Sequence, residues 1–137
     1  MNKMSKDINV RWGWLKFMYI FTIVVPGGFG LGVIFIPNVI TFMYRMPKQD
    51  PIILGIVGGV YVAFGILAIL GLRSPLNFAP ILLLQLCYKV VWLVGIILPL
   101  LFVESFPTYG IPFIVIFAIF VIRDLIAIPF PYVFAKQ

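Results

Sequence analysis

The sequence predicts an all-α protein, an integral membrane four-helix bundle, and three observations carry that expectation. Of 137 residues, 64% are apolar and only 10% charged, where a soluble domain carries about 25% charged residues. Mean hydropathy is +1.19. Four apolar runs, at about 14–36, 52–72, 76–102 and 111–131, are each long enough to cross a bilayer as a helix. They leave no room for a separate soluble unit, so residues 1–137 read as one four-span domain.

Composition also excludes function classes. The net charge is +6, but the basic residues are too few and scattered to track a nucleic-acid backbone. In a membrane protein such an excess reflects Lys and Arg held on the cytoplasmic side. The chain has no histidine, which removes His-ligated haem, His-based zinc and His general-base catalysis. Cys87 is the single cysteine, so neither an internal disulfide nor a cysteine pair for a metal can form. Beside Tyr88 it reads as a packing residue. Asp50 and Glu104 fall in separate loops and make no carboxylate dyad. No nucleophile, base and orienter can be assembled. The expectation is no catalytic residue, no metal, no cofactor and a role other than enzymatic.

Each element follows from its local residues. Met1 to Trp14 is polar and basic, and the apolar run after it is longer than a signal-peptide core and has no small-residue cleavage site. It reads as a cytoplasmic tail leading into an uncleaved first span. Trp12, Trp14 and Tyr19 suit the headgroup level, and Lys16 can snorkel there. Gly28 and Gly32 form a GxxxG pair suited to close helix packing, with Gly27 and Gly30 alongside. Pro26 deprives the Thr22 carbonyl of its helical donor. Pro37 and Asn38 end the span, and Phe42, Met43 and Tyr44 lie on the membrane surface.

Pro51 fits the first position of the second span, where Gly55 and Gly59 make another GxxxG pair and Gly58, Gly65 and Gly71 add small positions. Leu72-Arg73-Ser74-Pro75 is a tight turn. The third span starts near Leu76 and bends near Pro99. Pro112 opens the fourth, which frays at Pro129 and Pro131. Four spans put both termini on one side with Lys16, Arg73 and Lys136. Arg45, Lys48 and Glu104 lie opposite, so the charge bias predicts cytoplasmic termini in a bacterial inner membrane.

Ionisable residues inside these runs are the main functional clue. Each costs roughly 2.5–3.5 kcal/mol at the centre of a span. Lys89 and Asp124 each lie about 13 residues from the third loop, on the order of 20 Å deep at 1.5 Å per residue. A short loop makes the last two spans antiparallel neighbours, so Lys89 and Asp124 fall at one level and are placed to pair. Gln85 is one turn from Lys89 on the same face, and Trp92 flanks it from the other side. Arg123 projects about 100° from Asp124, so one of the two faces the third span and the other faces the first span, the second, or a central cavity. Thr22 and Tyr61 lie near the same depth.

Two cations and one anion at one level would leave a net positive centre unless a proton leaves or an anion enters. A carboxylate, a lipid phosphate or a quinone carbonyl would each suit. The other reading is a buried salt bridge that sets helix register.

Gly58-Gly59-Val60-Tyr61-Val62-Ala63-Phe64-Gly65-Ile66-Leu67, followed by Gly71-Leu72-Arg73-Ser74-Pro75, resembles small bacterial DoxX-like proteins. That resemblance implies four membrane helices with a glycine-rich second one. Some such proteins are linked to quinone- or thiol-related redox systems, and the absence of a second cysteine argues against a thiol role here.

The leading expectation is a protein that binds or carries a small amphipathic or anionic molecule at mid-membrane. Lys89 and Arg123 would contact it, Asp124 would neutralise one cation, and Gln85, Tyr61, Thr22 and Trp92 would complete the site. The alternatives are a structural accessory subunit, self-associating or docked in a larger membrane complex through its glycine faces, and a quinone-linked redox subunit.

Overall fold

A computed structural model describes residues 10–103 and 106–135. Most of the charged tail, with Lys3, Lys6 and Asp7, lies outside them, as do Glu104 and Lys136 of the charge-bias argument. Four apolar helices are long enough to span a membrane: α1 (Trp12–Phe35), α3 (Pro51–Arg73), α4 (Ala79–Leu100) and α5 (Gly110–Ala127). Two short helices, α2 (Pro37–Met43) and α6 (Phe130–Val133), follow α1 and α5. No strand occurs among the described residues.

Prolines set most of the boundaries. Ile36, before Pro37, leaves the helical region at φ −136°, ψ 57°, because the proline ring crowds an α conformation in the preceding residue. Pro37 does not simply end the span. It opens α2, where its missing N–H costs nothing, so the segment expected only to lie on the surface contains two helical turns. α2 closes on Arg45, the one described non-glycine residue with positive φ, 54°. The Met46 N–H reaches the Thr41 carbonyl at 2.8 Å, and the Arg45 N–H reaches Phe42 at 3.1 Å. This six-residue closure normally uses glycine.

Asp50 caps α3, its carboxylate accepting from the Ile52 N–H at 2.8 Å and the Ile53 N–H at 3.1 Å. The third span starts at Ala79 rather than near Leu76, since Pro80 has no N–H to return to the Leu76 carbonyl. The fourth ends at Ala127 rather than near Pro131. Ile128 precedes Pro129 and is extended, at ψ 126°.

Pro26 and Pro99 act inside the spans. Around Pro26 the helix widens to π geometry over Ile23–Gly27. A second π turn, Leu93–Ile97, precedes Pro99, and there the Leu98 N–H donates five residues back to Leu93. The wider turn lets carbonyls deprived of an ordinary donor find another without leaving the helix, as hydrocarbon requires.

The helices form a closed ring in which α1 packs on α3 and α5, and α4 packs on α5 and, more thinly, on α3. The α1–α3 seam is the tightest, and glycine makes it so. Gly27 faces Gly65, Gly30 faces the Gly58 carbonyl, and Gly71 accommodates the Tyr19 ring. The expected GxxxG pairs are not the seam. Gly28, Gly55 and Gly59 meet nothing within 4 Å, and Gly32 accommodates Ile40 of α2. Tyr19 also donates a 2.6 Å hydrogen bond to the Pro75 carbonyl, tying α1 to the α3–α4 turn. Arg11 donates to the Ile126 carbonyl at 2.8 Å, which puts the start of α1 beside the end of α5.

Outward faces carry large apolar side chains, among them Phe35, Val91 and Ile122. Together they form far more contiguous apolar surface than a soluble monomer exposes. Lipid is the solvent that suits this surface.

Candidate functional site

Below the Pro26 distortion, α1 packs on α5 through Trp12–Thr22. Above it, Gly28–Phe35 packs chiefly on α3 and α2. α1 and α5 therefore part in the half of the bundle away from the termini, and space opens between them. A cavity of about 340 Å³ occupies it, reached by Pro26 and Phe29 of α1, Tyr44 just after α2, Tyr61 of α3, Lys89 of α4 and Phe120 of α5. A second, of about 450 Å³, lies along the thin α3–α4 seam, lined by Met46, Val57, Tyr61, Trp92 and others. Both are walled by Phe29, Tyr61, Tyr88, Phe113 and Phe117, so an aromatic partition separates two chambers.

Lys89 is the charged group among the residues that line the first chamber. It is 1% exposed, and its ammonium sits 3.8 Å from the Phe120 ring centre, 4.9 Å from Tyr88 and 5.5 Å from Phe117. The electron-rich ring faces attract the cation but accept few of its three N–H donors. Nζ has no hydrogen-bond partner among the described residues. Asp124 is 0% exposed, and neither of its carboxylate oxygens has a hydrogen-bond partner among the described residues. The expected direct pairing of Lys89 with Asp124 therefore does not form. The ammonium reaches α5 at Phe120, one turn from the carboxylate.

Gln85 and Thr22 are brought together as their depths suggested, with Gln85 Oε1 3.3 Å from Thr22 Oγ. Thr22 Oγ also donates to the Met18 carbonyl at 2.7 Å. A hydroxyl has one proton, so both contacts cannot be donations. Turning the amide about its axis lets Nε2, otherwise unpartnered, donate to Thr22 Oγ while the hydroxyl serves Met18. Neither these two side chains nor Asp124 lines either chamber.

Tyr61 lines both chambers, its ring 5.6 Å from Phe29 and 6.4 Å from Tyr88. Trp92 lines the second and packs edge-on against Phe117 at 4.8 Å. Arg123 departs from the expected site. It faces α1 on the outside, its guanidinium 5.0 Å from the centres of both Phe17 and Phe21. The buried centre therefore holds one cation and one anion, and the surplus positive charge expected there is absent. Cys87 faces outward rather than packing in the core.

Residue-by-residue reading missed Tyr88, which lines both chambers, and the wall made by Phe29, Tyr44 and Phe113. A signal existed in α5. Phe113, Phe117, Phe120 and Asp124 recur at four, three and four residues, which puts them on one face. No ion-binding cluster of His, Cys, Asp or Glu occurs among the described residues.

Comparison with known proteins returns no matching family model, no matching curated protein and no matching solved structure.

Proposed function

We propose that this four-span membrane protein binds a small, largely apolar molecule with an acceptor-bearing head. The head accepts from Lys89 Nζ and the body lies against the aromatic partition. One observation carries the reading: an ammonium 1% exposed, with no hydrogen-bond partner among the described residues, lines an aromatic chamber of about 340 Å³. Such a volume lies within the usual range for small-molecule sites. With Arg123 outside, the centre has no excess charge to neutralise, so a neutral carbonyl suits it as well as a carboxylate. Tyr61 and Tyr88 supply further donors at the partition, and Trp92 bounds the chamber beyond it. Asp124 acts from behind as the counter-charge.

Three bicyclic probes of similar shape test this on the purified protein: naphthalene, naphthoate and menadione, followed by thermal unfolding. Naphthoate or menadione should stabilise the bundle and naphthalene should not. A hydrogen bond to a charged donor contributes about 1.5–3 kcal/mol, so Lys89→Met should weaken the effective probe at least about tenfold while the bundle still folds. Equal stabilisation of Lys89→Met and wild type would sink the proposal.

Kinship with DoxX-like proteins is proposed on two grounds, the four-span form and the resembling stretch that supplies Gly58, Gly65 and Gly71 to the seam. Placement in a bacterial inner membrane with cytoplasmic termini rests on the charge bias. A second reading, an accessory subunit, is favoured by Gly55 and Gly59, which leave an open small-residue face on α3. Cross-linking from a cysteine placed at Gly55 would capture a partner there. A chain that stays uncross-linked in its native membrane counts against this reading.

A further inference from the structure

Arg123 is left over from the chamber just described, and its surroundings are specific. It borders a hollow of about 350 Å³ with Gly13, Trp14 and Phe17. Phe17 and Phe21 are nearly parallel, 5.9 Å apart at 13°, and form a two-ring platform on α1. The guanidinium lies 5.0 Å from each ring centre. Trp14 meets Phe17 edge-on at 6.1 Å and ends the row. Gly13 meets nothing within 4 Å, so the floor of the hollow stays open. The bond from Arg11 to the Ile126 carbonyl fixes the spacing of α1 and α5 beside it.

No described acid competes for this cation. Asp124 is turned into the bundle at 0% exposure, and Asp50 caps α3 at the opposite end. Depth matters as well. Arg123 stands four residues before the end of α5 at Ala127, about 6 Å in at 1.5 Å per residue. Trp12 and Trp14 are exposed at the same end of the bundle, at the level where tryptophan anchors to headgroups.

We propose that this hollow is a binding site for an anionic phospholipid, with Arg123 holding the headgroup phosphate. A planar guanidinium presents paired N–H donors that match phosphate oxygens, and stacking on Phe17 and Phe21 fixes its orientation. The apolar walls suit the glycerol and first acyl carbons, which free phosphate lacks, and this selects a lipid as the occupant. The site stands apart from the Lys89 chamber, so either can fail alone.

The test measures thermal stabilisation of the full chain in neutral detergent on adding phosphatidylglycerol, with phosphatidylcholine and inorganic phosphate as separate arms. Phosphatidylglycerol should stabilise most, phosphatidylcholine should stabilise less because its choline cancels the net negative charge, and inorganic phosphate should not stabilise. Arg123→Gln should raise the phosphatidylglycerol concentration for half-effect at least about fivefold, the loss expected for one cation near a charged surface. Arg73→Gln, an equal loss of charge at the same end of the bundle, should leave it unchanged. Equal effects of the two substitutions, or stabilisation by inorganic phosphate alone, would overturn the site. If Arg123→Gln does not fold, native mass spectrometry of wild type from an equimolar lipid mixture decides. Preferential phosphatidylglycerol adducts support the site, and equal adducts refute it.

Discussion

Replacing Gly30 by alanine should destabilise the bundle, while the same change two residues earlier, at Gly28, should stabilise it. A Cβ on Gly30 would lie 2.7 Å from the Gly58 carbonyl oxygen and 2.8 Å from the Val62 nitrogen. That is about 0.8 Å inside the ~3.5 Å at which contacts become favourable. Both obstacles are backbone, so no rotamer change relieves them and α1 must move off α3. A gap of 0.5–1 Å forfeits roughly a quarter to a half of each dispersion contact, and the loss spreads to Gly27 against Gly65 and Gly58 against Val33. Overpacking of this kind costs about 1–3 kcal/mol. At Gly28 nothing lies within 4 Å, and alanine should return about 0.5–1 kcal/mol of helix preference. The two variants should therefore differ by about 1.5–4 kcal/mol, in opposite directions from wild type. Unfolding midpoints in a denaturing-detergent titration followed by circular dichroism would measure this. If Gly28→Ala destabilises as much as Gly30→Ala, the seam runs through the GxxxG pair and the packing described above is wrong.

Two further substitutions test the frame around the site. Tyr19→Phe removes the 2.6 Å bond to the Pro75 carbonyl and should cost about 1–2 kcal/mol in the same titration, with hydrogen exchange rising first at the α3–α4 turn. Asp50→Ala strips the cap from two N–H groups of α3 and should cost about 1 kcal/mol. Asp50→Ser should restore most of that, and an equal loss in both variants would argue against capping.

Much of the fold is legible in the residues, because the bilayer imposes strong rules. Four apolar runs of spanning length, broken by Pro37, Pro51, Pro75 and Pro112, can hardly be anything but four helices. Depth is legible too, since rise per residue is fixed. It predicts that Thr22, Gln85, Lys89 and Asp124 lie deep in their spans, and all four are buried. What pairs with what is not legible. Lys89 meets Phe120 and not Asp124, Arg123 meets Phe17 and Phe21, and the close-packed glycines are neighbours of the motif glycines.

The sequence by itself therefore determined the solvent, the number of spans, the proline breaks and which polar side chains are buried. Only the tertiary structure decided azimuth, that is, which side chain of each level points to which neighbour. In water the polar face of a helix marks its outside, but here lipid-facing and core-facing residues are equally apolar and that marker disappears. The π turns at Ile23–Gly27 and Leu93–Ile97 add to this, since each takes in one residue more than an α turn and rotates everything beyond it. A step of about 100° per residue then separates Asp124, inside, from Arg123, outside.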